Sequence, residues 1–164
     1  MAALAASIAR TGAVCTLMLA CVVLPASAQT ADQLVDASQL QELRLFINAR
    51  DLGDLRAKFT ENTFYPADLQ WGGTTVHNAG VRSRGGGSRN GSKPGLLVDF
   101  DRYVTGQRFV GRRALVLDNL WQDPSMVRER AAMALFARMG LPAPRESLCR
   151  LYINNEYAGV YAIV

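Results

Sequence analysis

A predicted β-hairpin at residues 147–164 constrains the fold of this chain more than any other feature. The run 147–153 is rich in β-forming side chains, and the run 156–164 can return beside it. Between them, Asn154-Asn155 can adopt the positive φ angles of a tight turn. Because two strands alone are marginally stable in water, this hairpin requires further strands from the upstream sequence.

The hairpin is preceded by a predicted helix with clear boundaries. Asp123 is a suitable N-cap and Pro124 suits the first helical position, so the helix is predicted to run from there to about Met139. Gly140 and the prolines that follow end it. The residues before it, Asp118-Asn119, could contact a metal or a phosphate, but Asx residues in such loops more often cap turns.

The upstream sequence predicts the rest of a small sheet, which the helix would cover. A short amphipathic helix is predicted at 51–59, and Gly72-Gly73 indicates a hairpin turn. Strands are predicted at 42–48, 67–71, 74–77, 81–84, 96–100 and 114–117. The fold class is therefore α+β, with a mostly antiparallel sheet and one main helix. Residues 42–164 form one domain, preceded by a flexible segment at 29–41.

The N-terminus has the pattern of a signal peptide at residues 1–28. Arg10 gives a positive n-region, Val14 to Leu24 is apolar, and Ala26-Ser27-Ala28 is a small-x-small cleavage site. An exported protein without a transmembrane segment is predicted, either periplasmic, at the cell surface or extracellular. A lipoprotein attached through Cys21 is the second choice, because apolar residues continue after that cysteine.

Cysteine and histidine usage argues against several kinds of site. After removal of the signal peptide Cys149 is the only cysteine, so no internal disulfide can form. Alternation places Cys149 as a small core residue rather than a nucleophile. His77 is the only histidine, so with one remaining cysteine the sequence has too few ligands for a zinc site of the usual His/Cys type. Nothing near His77 resembles a nucleophile elbow.

A glycine-rich loop with basic neighbours is the first candidate site. Glycines between two strands let backbone N–H groups approach an anion, and arginine and lysine suit phosphate. The candidate phosphate-binding residues are Arg82, Arg84, Gly85, Gly86, Gly87, Ser88 and Lys93. Composition alone favours the alternative, a flexible hairpin tip with solvated arginines. Aromatic residues for base stacking are sparse, so no specific nucleic-acid partner is predicted.

Glu129 on the predicted helix is the second candidate. Helical spacing places it among apolar residues on two sides, so it is predicted to be partly buried. A buried carboxylate needs a partner, and Lys93, Arg82 and Arg84 are possible ones. Such a Lys–Glu pair positions nucleotide phosphates in kinases. The equally weighted alternative is a purely structural pair with a neighbouring arginine.

Several of these motifs together resemble the spore-coat protein H (CotH) kinase-like family. The matching stretches are Val81 to Gly85, Ser92-Lys93-Pro94, Asp99 to Tyr103, Asp118 to Ser125, Val127 to Glu129, Gly140 to Arg145 and, most recognisably, Arg150 to Tyr161. They occur in the order of the family and cover about residues 43–164. The resemblance implies the N-terminal lobe of an atypical protein-kinase-like fold.

The same resemblance implies a function. Family members would use ATP and Mg²⁺ to phosphorylate Ser or Thr in secreted or spore-coat proteins, with the loop at 84–93 on the phosphate side and Glu129 as the helix glutamate. The chain departs from the pattern of the family at two positions. The family often has Arg-Gly-Asn-Ser-Ser where this chain has Arg84 to Ser88, and a basic residue in the next strand where Leu97 stands here.

The sequence also predicts that the chain is the front part of a longer protein. Val164 stops in an apolar run, and the family's catalytic residues lie in a later helical lobe, so no catalytic residue is assigned here. Residues 29–164 alone are not expected to transfer phosphate. The alternatives are a non-catalytic surface or coat-binding module of the same fold, and a bare structural fragment. Neither the oligomeric state nor the metal ligands follow from the sequence.

Overall fold

The computed structural model describes residues 29–164, and the predicted signal peptide at 1–28 lies outside this part. It contains three helices, α1 (Ala31–Leu34), α2 (Ala49–Ala57) and α3 (Arg128–Arg138). The seven strands are β1 (Leu40–Ile47), β2 (Tyr65–Trp71), β3 (Thr74–Arg84), β4 (Gly95–Asp99), β5 (Ala114–Asp118), β6 (Ser147–Ile153) and β7 (Glu156–Ile163). The predicted α+β class with a mostly antiparallel sheet is confirmed.

The seven strands close into a barrel in the order β1-β2-β3-β4-β5-β7-β6. Neighbouring strands pair antiparallel except β1 and β6, which pair parallel from Leu40↔Leu148 to Leu45↔Ile153. The parallel pair closes the sheet and leaves no free edge among these strands. The predicted hairpin forms β6 and β7, and Asn154 and Asn155 have the predicted positive φ angles of 51° and 68°.

The core fills the inside of the barrel. Alternate residues of each strand point inward, as in β1, where Leu43, Leu45 and Ile47 are buried while Arg44 and Phe46 are only partly covered. The largest fully buried side chains are Tyr161, Phe100, Phe109, Leu34, Leu43, Leu45, Leu69, Leu96, Leu115, Leu117, Leu151 and Ile163. Cys149 is buried among them, as alternation predicts.

Apart from shifts of one or two residues at the ends of elements, the structure differs from the sequence predictions in three places. β3 is one continuous strand where two short strands were predicted, because Asn78, with a positive φ of 55°, forms a β-bulge opposite Asp68 of β2 and the pairing resumes at Ala79. Leu34 and Val35, in the segment predicted to be flexible, pack into the core. α3 begins at Arg128 rather than at Pro124, although the Asp123 carboxylate does accept a hydrogen bond from the Arg128 N–H at 2.7 Å.

α3 does not cover a face of the sheet, and the prediction that it does is wrong. None of its residues is buried. Apolar side chains on and beside it remain exposed, with Val127 at 51%, Leu135 at 56% and Met139 at 63% of their surface accessible. The barrel explains this result, because a closed sheet buries its apolar face internally and needs no covering helix. Within residues 29–164, no helix combines the length and apolar character needed to cross a bilayer.

Candidate functional site

The glycine-rich loop joins β3 to β4 at one end of the barrel, beside the end of β5 and the first turn of α3. A cavity of about 340 Å³ lies between these elements. Ser88 lines it from the loop, Asp118 from β5 and Glu129 from α3. The topology therefore brings the two sequence-predicted parts of the site, the loop and the helix glutamate, to one cavity.

The loop is held in place mainly by Asn119, which is fully buried. Its side-chain amide donates to the carbonyl of Ser88 at 2.9 Å and to the carbonyl of Lys93 at 2.7 Å. Its side-chain oxygen accepts from the Trp121 N–H at 3.2 Å. Asn119 thus joins the middle of the loop, at Ser88, and its last part, at Lys93, to the turn after β5. From the sequence, Asn119 is predicted only to cap a turn or to contact a metal or a phosphate.

Arg89 fixes the other side of the loop to the end of α2. Its guanidinium donates to the carbonyl of Gly85 at 3.0 Å, to the carbonyl of Thr60 and to the Asn62 side chain at 2.6 Å. These bonds occupy most of its donors. Arg89 therefore supports the loop rather than offering a free cation, a role that its position in the sequence alone does not reveal.

The loop presents backbone donors that are not otherwise used. Gly85 has a φ of 124°, and a Cβ there would lie 2.7 Å from the Ser88 hydroxyl oxygen, so the close turn depends on glycine. Within the part of the chain that the structure describes, the N–H groups of Gly86, Gly87 and Ser88 donate to no other protein group. Gly86 and Gly87 are exposed. This arrangement can accept an anion.

Lys93 lies at the end of the barrel, half-buried over the ring of Tyr161. Its ammonium nitrogen is 5.1 Å from the ring centroid, and its side chain passes beside Gly159. Burial lowers the pKa of Lys93, and the nearby Asp118 carboxylate partly offsets this. The positive charge of Lys93 is therefore only partly compensated, by Asp118.

The two predicted arginines lie on β3 with different partners. Arg84 is 3.8 Å from a carboxylate oxygen of Asp118. Arg82 donates to the Asn62 side chain at 2.9 Å, and its pKa is lowered by burial and by the neighbouring guanidinium groups of Arg89 and Arg84. Arg84 is the arginine that faces the cavity carboxylate, whereas Arg82 is directed toward the end of α2.

Leu97 lies on β4 directly opposite Arg82. Cross-strand partners share a face of the sheet, so a guanidinium stands next to the place where the family resemblance leads us to expect a basic residue.

Glu129 is exposed, and the prediction that it is partly buried is wrong. Since the first turn of α3 lies off the barrel, the apolar residues around Glu129 do not enclose it. Among the residues described, Glu129 forms no ion pair with Lys93, Arg82 or Arg84. The predicted Lys–Glu pair is therefore not formed, although Glu129 still lines the cavity next to Ser88.

Carboxylates of the cavity are mostly engaged locally. Asp118 accepts from the Leu120 N–H at 2.8 Å, and Asp123 accepts from Ser125 and Arg128. The hydrogen bond from the Ser125 hydroxyl, together with those from the backbone N–H groups of Arg128 and Ser125, lowers the pKa of Asp123. Within residues 29–164, no three His, Cys, Asp or Glu side chains are grouped to hold a metal ion. A divalent cation here would need ligands from a phosphate and from water.

Comparison with known proteins identifies relatives. A family model described as CotH kinase protein matches residues 81–164. The inner spore coat protein H of Bacillus subtilis (strain 168) is 24% identical over 124 residues, which cover 76% of this chain and 33% of that protein. An inner spore coat protein H-like protein of the same organism is 40% identical over 52 residues, 32% of this chain and 17% of that protein. The chain thus spans about a third or less of these relatives.

Proposed function

Because the chain belongs to the CotH kinase protein family, we propose that its glycine-rich loop and Lys93 bind the phosphates of Mg-ATP. The described residues would then be the nucleotide-binding lobe of an atypical protein kinase. The acceptors are Ser or Thr residues of secreted or coat proteins, in keeping with the spore-coat names of the two relatives. Export rests on the signal-peptide pattern of residues 1–28.

One observation carries the proposal: three consecutive N–H groups without acceptors in the described part of the chain, at Gly86, Gly87 and Ser88, lie on a loop whose carbonyls at Gly85, Ser88 and Lys93 are held by side chains. Phosphate oxygens are strong acceptors, and a preorganised set of donors binds them without first paying an ordering cost. Asn119 and Arg89 supply that preorganisation. A flexible tip of solvated arginines would not need either of these contacts.

Lys93 and Arg84 would supply the positive charge. Lys93 gains a counter-charge when an anion approaches, which favours its protonated form against the burial that lowers its pKa. Arg84 can reach either Asp118 or a phosphate, because its present contact at 3.8 Å is long. Glu129, which is exposed, would either coordinate Mg²⁺ or form an ion pair with a lysine that moves close when the nucleotide binds.

The triphosphate of Mg-ATP fits the backbone donors of the loop and the cations Lys93 and Arg84. Its magnesium ion would be held mainly by the phosphates. Mg²⁺ keeps several waters and needs only one or two carboxylates. Glu129 and Asp118, which line the same cavity, are the residues that could provide them. When bound, Mg-ATP would supply the transferable phosphoryl group, and the chain's own residues would orient it.

Thermal unfolding with Mg-ATP tests the proposal. At a nucleotide concentration ten times Kd, stabilisation of about 1.4 kcal/mol should raise the melting temperature by about 3–6 °C. Lys93→Met should remove most of this shift, while Lys58→Met, at the exposed end of α2, should retain it. No shift in the unmodified chain, or an equal shift in both variants, would count against a nucleotide site at this loop.

A second candidate is a non-catalytic binding module of the same fold. The observation that favours it is the exposed apolar surface of α3, together with the exposure of Glu129. Such a module would bind a coat or surface protein without any change in stability on addition of Mg-ATP. The thermal measurement therefore separates the two candidates.

A further inference from the structure

A second and larger concavity lies on the opposite side of α3 from the glycine-rich loop. It has a volume of about 580 Å³ and runs between α3, the end of α1 and the segment before β6. Its walls are mainly apolar: Val35, Val127, Ala131, Met133, Ala134, Ala137, Ala143 and Pro144. We call it the α3 groove. Its outer wall consists of exposed residues of α3, which are free to change rotamer.

Glu146 lies at the base of the α3 groove and is only 6% exposed. Neither of its carboxylate oxygens has a hydrogen-bond partner within the described chain. The next residue shows the ordinary arrangement, since the buried Ser147 hydroxyl donates to the Leu34 carbonyl at 2.7 Å. A buried carboxylate without any partner is costly, which indicates a missing counterpart.

The basic side chains of the groove are already engaged elsewhere. Arg130 donates to the Ala37 carbonyl at 2.9 Å, and Arg145 pairs with the carboxylate of Asp32. Burial raises the pKa of Glu146, and the carboxylate of Glu129 raises it further. The guanidinium of Arg130 lowers this pKa in part, and the carboxylate of Asp118 raises it again. The groove therefore combines apolar walls with a buried carboxylate that accepts no hydrogen bond from the described residues and whose charge Arg130 compensates only in part.

We propose that the α3 groove is a docking site for a partner polypeptide that inserts a lysine or arginine side chain toward Glu146. Such a side chain has an apolar stem that matches the groove walls and a cationic end that matches the carboxylate. The exposed apolar residue Val127 lines the groove and can contact a residue beside the inserted one. Because both carboxylate oxygens of Glu146 are covered, docking requires that a lining side chain such as Arg130 or Met133 change its rotamer.

The docking site goes beyond the proposed nucleotide site and does not depend on it. Phosphate-binding residues lie on the loop after β3, whereas this groove lies between α3 and the approach to β6. Glu146→Gln should therefore leave the stabilisation by Mg-ATP unchanged. Failure of either proposal can thus be recognised separately.

Two capped pentapeptides test the docking site: one with a central lysine flanked by leucines, the other with norleucine in place of lysine. Binding is measured at pH 8, above the pKa of about 7 to which burial raises Glu146. We expect the lysine peptide to bind at least about tenfold more tightly to the full chain. Glu146→Gln should abolish that preference, whereas Glu156→Gln, an exposed carboxylate on β7, should keep it.

A steric variant keeps the test valid if Glu146→Gln does not fold. Ala134→Trp fills the groove from an exposed position on α3, and Ala49→Trp makes the same change on α2. The first should abolish binding of the lysine peptide and the second should not. Equal binding of both peptides, or binding of neither, overturns the proposal. Self-association of the chain that Glu146→Gln dissolves would assign the groove to a second copy and would also overturn it.

Discussion

At the scale of single residues, two adjacent glycines in one loop have different roles. Gly85 combines a positive φ with a close approach to Ser88, whereas Gly86 has neither a positive φ nor any neighbouring atom within 4 Å of the position that a Cβ would take. The sequence shows three equivalent glycines, and only the backbone separates them. The difference gives a matched pair of substitutions.

We expect Gly85→Ala to destabilise the chain by about 1–3 kcal/mol, because it imposes both a disfavoured backbone conformation and a clash with the Ser88 hydroxyl. Gly86→Ala should change stability by less than about 0.5 kcal/mol. Urea unfolding measures both values. If the two substitutions had equal effects, Gly85 would not determine the loop conformation.

Glu146 predicts a pH dependence of stability. Burial raises its pKa to about 7, above the 4.5 of an unperturbed glutamate. Between these values the folded chain binds more protons than the unfolded chain, so stability falls as pH rises from about 4.5 through 7, by on the order of 3 kcal/mol. Urea unfolding at pH 5 and pH 8 measures this loss. Glu146→Gln should remove it, and a variant that loses as much stability as the unmodified chain would contradict the assignment.

At the scale of elements, the turn after β5 and the loop after β3 form one unit. Asn119 connects them, since its side chain donates to the carbonyls of Ser88 and Lys93 in the loop and accepts from the backbone of its own turn. The loop is therefore held from a strand that is distant from it in the sequence. Nothing in the local pattern of residues 84–95 indicates this.

Asn119→Asp keeps the acceptor but removes the two donated hydrogen bonds. We expect a loss of about 1–3 kcal/mol and faster hydrogen exchange in the loop, because buried carbonyls lose their donors and face a new charge. Gln122→Ala, an exposed change in the same turn, should stay within about 0.5 kcal/mol. Loop exchange that remained unchanged in Asn119→Asp would show that Asn119 does not hold the loop.

At the scale of the whole molecule, closure of the barrel sets the accessibility of everything inside it. Cys149 lies on β6 between β1 and β7 and is fully buried, and burial raises its pKa to about 12. A thiol that is both covered and protonated does not react with alkylating agents. Its reactivity therefore reports on opening of the barrel.

We expect iodoacetamide to label Cys149 only through the globally unfolded state, with the rate rising in urea in proportion to the unfolded fraction. Mass spectrometry of the peptide that contains Cys149 measures the rate and separates it from labelling of Cys15 and Cys21. Rapid labelling in the absence of urea would indicate that the seam between β1 and β6 opens locally.

The sequence by itself determined the local elements of this protein. The final hairpin, its Asn-Asn turn, the alternating strands and the helix before Gly140 were all predicted, because periodicity and turn residues act over a few neighbouring positions. Several family motifs in order also identified the relatives. The predicted boundaries differ mainly where a tertiary contact intervenes, as at the buried Leu34 and Val35.

Only the tertiary structure decided which faces are covered. The parallel pairing of β1 with β6 closes the sheet, and this turned the expected covering helix into an exposed one, left Glu129 in solvent and buried Glu146 instead. Local periodicity gives the apolar face of an element but not what lies against it. That outcome depends on strand pairings between residues about a hundred positions apart, which no local pattern contains.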